Sequence, residues 1–153
     1  MTYEALLNII DSEGILLYEM KFRGNSNGLY SDNCIAIDSL ISTRSERKCV
    51  LSEEVGHHFN SYGNILDTNE VQAIKQEKRG RNWAYEFNIP LKSFIDAYKE
   101  GVRNQYELAE FLEVTEEFLI KAIDYYWNKY GSHYRVDNYI ICFSPLYVEK
   151  MVS

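Results

Sequence analysis

Proline and cysteine are scarce in this sequence, with two prolines and three cysteines among 153 residues. Cys34, Cys49 and Cys142 stand far apart and form no CxxC pair. That argues against a disulfide framework and fits a reducing compartment. Long apolar runs are missing too. Nothing approaches the length that spans a bilayer, and the N-terminal stretch lacks a signal-peptide layout, so a cytoplasmic protein with no membrane partner is expected. Basic residues are in deficit: 16 Lys and Arg face 23 Asp and Glu, a net charge of -7. A phosphate backbone would be repelled, so direct nucleic-acid binding is not expected. Histidine is rare as well, and two of the three are adjacent, at His57 and His58.

What is present suits one soluble domain over residues 1–153, 46% hydrophobic and 25% charged, with thirteen tyrosines and seven phenylalanines to pack a core. Thr2 can cap a first helix carrying Ala5, Leu6, Ile9 and Ile10 at helical spacing. Ile15–Phe22 reads as a strand, buried at first and alternating later, and Leu29-Tyr30 and Cys34–Ile37 read as two more. Beyond them Thr43-x-x-Glu46 and Asp67-x-x-Glu70 have capping-box spacing, and the second opens a helix running towards Tyr85 and Phe87. Asn60–Asn64 should break the chain between these helices, and Pro90 should end the later one. Residues 1–90 thus form a small sheet with the Glu/His helices, and 91–153 a helical hairpin and a terminal strand or hairpin, an α+β fold.

The chemistry concentrates in Cys49–Phe59, where Glu53, Glu54, His57 and His58 interrupt an apolar segment. Residues i and i+4 share a helix face, which pairs Glu53 with His57 and Glu54 with His58. Glu53-Glu54-Val55-Gly56-His57 has the spacing of H-E-x-x-H, in which two histidines bind zinc and the glutamate is the general base, with glutamate in place of the first histidine. A helix with exposed acids and a packing histidine accounts for these five residues equally well.

Tyr106–Trp127 has helix-turn-helix spacing, but Tyr106–Phe118 holds five glutamates and no lysine or arginine. DNA would be repelled. The expected role is packing, with Leu108, Phe111, Leu112, Phe118 and Leu119 buried.

Leu51-x-Glu53-Glu54-x-Gly56-His57-His58, together with Glu77-Lys78-Arg79-Gly80-Arg81-Asn82-Trp83-Ala84, resembles the two motifs of the ImmA/IrrE metallopeptidases. The second follows the pattern E-x-x-A-x-x-F-A, with glycine for alanine and tryptophan for phenylalanine. The two stretches look most like small members carried by prophages and integrative elements of Gram-positive bacteria. The resemblance implies a zincin-like α+β fold with a small N-terminal sheet packed on a helical bundle. It implies Glu54 as catalytic base, His57 and Glu77 as metal ligands, and Glu53 in the first ligand position. His58, about 100° round the helix from His57, would pack or hydrogen-bond behind the ligands. Zinc is the implied ion; one imidazole with two carboxylates makes a harder site at which manganese or iron compete. The implied substrate is a phage-type repressor, cut so that the genes of the element are expressed. The alternative is a catalytically weakened or inactive member that binds a repressor or another protein without cutting it. Retained Glu54 favours the first reading and altered Glu53 the second.

Overall fold

The computed structural model describes residues 1–60 and 70–152, which form two compact units, 1–84 and 85–153. The expected break over residues 61–64 and the expected N-cap at Asp67 lie outside the described residues.

In the first unit Thr2 caps α1 (Tyr3–Ser12), its hydroxyl accepting the Ala5 N–H at 3.1 Å. Three strands follow: β1 (Leu16–Met20), β2 (Gly28–Ser31) and β3 (Cys34–Asp38), in the order β1-β3-β2. β2 and β3 form an antiparallel hairpin closed by Asp32 and Asn33, both at positive φ, the conformation a two-residue turn demands and short polar side chains tolerate. β1 runs parallel to β3, which leaves β2 as an edge strand. Ile35 and Ile37 are fully buried on the sheet face that meets α2 (Arg44–Asn60), where Leu51 and Val55 are also fully buried. The opposite face is more open than the sequence suggests. Ile15 is buried, but Leu16, Tyr18 and Met20 of β1 and Leu29 of β2 each stay more than half exposed, because their register puts them on the face away from Ile35 and Ile37. α3 (Glu70–Asn88) begins in this unit and ends short of Pro90.

The second unit holds α4 (Leu91–Lys99), α5 (Gln105–Leu112) and α6 (Glu116–Tyr130), then β4 (His133–Val136), β5 (Tyr139–Phe143) and β6 (Leu146–Lys150). Pro90 precedes α4 without a side-chain cap, whereas side chains set the starts of α5 and α6: Asn104 accepts the Glu107 N–H at 2.9 Å, Glu107 in return accepts the Arg103 N–H at 2.8 Å, and Thr115 accepts the Phe118 N–H at 3.1 Å. Tyr126 centres the core, stacked on Phe143 with centroids 5.9 Å apart and donating its hydroxyl to the Ile89 carbonyl at 2.6 Å. Two expectations change here. Ser144-Pro145 is a turn and not an end, so β4, β5 and β6 form an antiparallel meander in place of one strand or hairpin. Leu108, Leu112, Phe118 and Leu119 are buried as expected, but Phe111 is 42% exposed. The buried stripe of α5 runs through Leu108, Ala109 and Leu112, and Phe111 falls beside it.

Candidate active site

Thr43 accepts the Glu46 N–H at 3.1 Å and starts α2, whose last turns carry Glu53, Glu54, His57 and His58. The helix buries Leu51, Val55 and Gly56 and takes Glu54 with them, leaving that carboxyl in a residue only 8% exposed.

Two glycines fix where α2 and α3 meet. A Cβ on Gly56 would lie 2.3 Å from the Gly80 carbonyl oxygen, and a Cβ on Gly80 would lie 2.7 Å from Cε1 and Nδ1 of His57. The helices therefore touch backbone to backbone, and the imidazole lies against α3 where only hydrogen occupies the side-chain position. That contact brings His57 Nε2 to 3.4 Å from Glu77 Oε2. His57 keeps 16% of its side-chain surface exposed and Glu77 61%, so the pair opens to solvent from the Glu77 side.

Glu54 sits behind this pair. Burial, with the negative charges of Glu53 and Glu77 adding to it, pushes its carboxyl up to about 8. Its other neighbour is β2: a Cβ on Gly28 would come 2.9 Å from Glu54 Oε1 and 2.8 Å from Val50 Cγ1. One helical turn on, His58 Nδ1 is 2.8 Å from the Tyr30 hydroxyl and Nε2 is 3.7 Å from Glu13 Oε2. Gly28 and Tyr30 are two apart on one strand face, and Glu54 and His58 are four apart on one helix face. Roughly 7 Å of strand thus matches roughly 6 Å of helix, and β2 lies along α2 in register. His58 is thereby committed to holding helix, strand and the end of α1 together, away from the His57–Glu77 pair.

The family model of the IrrE N-terminal-like domain, peptidase family M78, matches residues 10–124, three quarters of the chain and every residue of this site from Glu13 to Gly80. The chain belongs to this metal-dependent, peptidase-like family. No curated protein matches the chain.

Within this M78 domain the structure brings together His57 and Glu77, and sets Glu54 where Glu53 and Glu77 act on it. Glu53 is half-buried, beside Glu54 in the helix. Among the described residues no group of three His, Cys, Asp or Glu side chains is gathered closely enough to hold a metal ion. The donor set nevertheless fits a divalent cation. An imidazole nitrogen and a carboxylate oxygen already face each other, and the negative charges of Glu53 and Glu77 act together on Glu54, a field that a cation would offset.

Sequence reasoning did not single out Gly28, Tyr30 or Gly80. Gly28 looked like part of a turn, Tyr30 like a strand residue, and Gly80 like a replaced alanine. Each owes its role to a contact between elements far apart in the chain. The only local signal is that Gly80 departs from the motif at the position facing His57.

Proposed function

We propose that this protein is a zinc-dependent endopeptidase of a prophage or other mobile element, working in the cytoplasm on a cognate repressor whose cleavage frees the genes of the element. The His57–Glu77 pair, 3.4 Å apart beside the buried Glu54 in an M78 domain, carries this reading.

In this scheme His57 and Glu77 would hold the ion and Glu53 would supply the third ligand from the first position of the motif. The ion, when bound, polarises the peptide carbonyl and lowers the pKa of water. Glu54 takes the proton from the attacking water and passes it to the leaving amine. Burial is the largest cause of the raised Glu54 carboxyl and the charges of Glu53 and Glu77 add to it, so a cation on those two carboxylates would offset the added part and ease Glu54 towards ionisation. One imidazole with two carboxylates is a harder donor set than two imidazoles, which lets manganese or iron compete with zinc.

Glu54→Gln tests the scheme. The wild-type protein, loaded with zinc and incubated with the repressor of its own element, should yield two fragments by mass spectrometry. The variant should yield none while keeping its metal content and far-UV spectrum. A variant that cuts at the wild-type rate removes Glu54 from its assigned role. The carboxylate at Glu53 favours a second reading, the same fold binding a repressor without cutting it. That reading predicts a stable complex on gel filtration and no fragments.

A further inference from the structure

Helix α6 is apolar on two sides, and the core accounts for one of them. Phe118, Leu119, Ala122 and Tyr126 are buried. Ile120, Ile123 and Trp127 form a separate stripe at i, i+3 and i+7, confined to roughly 60° of arc on another side of the helix. Ile120 is 54% and Trp127 39% exposed. With Phe143 and Ser144 at the β5–β6 turn, this stripe lines an open groove of about 400 Å³, room for large apolar side chains.

The charge beside the groove is mainly acidic. Two charged residues line the groove, Asp124 and Lys121, and Lys121 is already paired with Glu117 at 3.0 Å, which leaves the negative charge of Asp124 and of the exposed Glu116 one turn before Ile120. Glu116 lies at the head of the stripe and Asp124 along its side. We infer that this groove docks a basic, amphipathic segment of a protein partner, its apolar side chains entering between Trp127 and Phe143 and its lysines or arginines meeting Glu116 and Asp124. An exposed tryptophan in a groove is the usual anchor of such contacts, and the surrounding charge sets which partners approach. Nucleic acids and anionic membranes are repelled by the same carboxylates. A second copy, at net charge -7, brings the wrong sign. The inference concerns the second unit and does not depend on catalysis at His57 and Glu77.

A fluorescein-labelled amphipathic helix of leucine and lysine, with a leucine and glutamate helix as control, tests it by anisotropy. The Leu/Lys peptide should bind at least about tenfold more tightly than the control, an energy of about 1.4 kcal/mol. Trp127→Ala and Ile120→Ser, which change no charge, should each weaken it by about tenfold, and Glu116→Lys with Asp124→Lys should do the same without touching the groove floor. In Trp83→Phe protein, where Trp127 is the sole tryptophan, binding should shift its emission to the blue. Unchanged affinity in both Trp127→Ala and Ile120→Ser would show mere attraction between opposite charges and overturn the proposal. So would sedimentation showing a wild-type dimer that Ile120→Ser dissolves, since the face would then belong to a second copy.

Discussion

Gly56 and Gly80 meet so closely that a methyl group on Gly56 would stand 2.3 Å from the Gly80 carbonyl oxygen. The same contact sets His57 beside Glu77, because the imidazole occupies the space a side chain at position 80 would take. Gly80→Ala should push the His57 ring aside and weaken zinc binding at least about tenfold, about 1.4 kcal/mol. Gly56→Ala should instead force the helices apart and cost roughly 1–3 kcal/mol of stability. Chelator competition at fixed pH and thermal melts read the two effects separately. Zinc affinity in Gly80→Ala equal to wild type would falsify the positioning role of this contact.

The buried carboxyl of Glu54 gives the metal-free protein a defined pH dependence. Its folded pKa, pushed up to about 8, lies above the ordinary 4.5. The folded state therefore holds the proton more tightly. Stability from this group is fully present below about 4.5 and is lost as pH rises through about 8. With metal removed by chelator, Glu54→Gln should melt close to wild type at pH 4.5 and progressively higher than wild type towards pH 8. A difference that stays flat across that range means Glu54 is not held protonated.

Glu53 stands where the motif has its first histidine. Glu53→His should tighten zinc binding, since neutral imidazole matches zinc better than a second carboxylate does. Glu53→Ala and Glu77→Ala should loosen it to similar extents, each removing one of three ligands. If both alanine variants hold zinc as the wild type does, the ligand assignment fails. If no form of the protein binds metal, the non-cleaving reading replaces it.

The second unit offers a paired test of packing. Leu112 is 5% exposed and Phe111 42%, although they are neighbours in α5. Leu112→Ala should cost roughly 2–5 kcal/mol as a core truncation. Phe111→Ala, removing a larger side chain, should cost clearly less, by urea denaturation at one pH. Equal losses would place Phe111 in the core after all.

The local rules were legible in the sequence. Thr2 and Thr43 accept N–H groups at helix starts because a short side-chain oxygen satisfies a donor the helix leaves open, a matter of three residues. The Glu53–His58 cluster also announced itself, since ionisable groups in an apolar segment require an explanation within that segment. Sequence alone likewise displayed the acidic charge of Tyr106–Phe118. Tertiary structure decided which side chains meet. His57 faces Glu77 because two bare backbones, 24 positions apart, pack without a Cβ between them. Glu54 is dry because Gly28 of an edge strand closes against it, and His58 turns away because Tyr30, two residues along that strand, takes its nitrogen. Spacing along one helix fixes a direction in space. What lies in that direction depends on how other elements pack, and close packing is a property of the whole core that no single stretch of sequence contains.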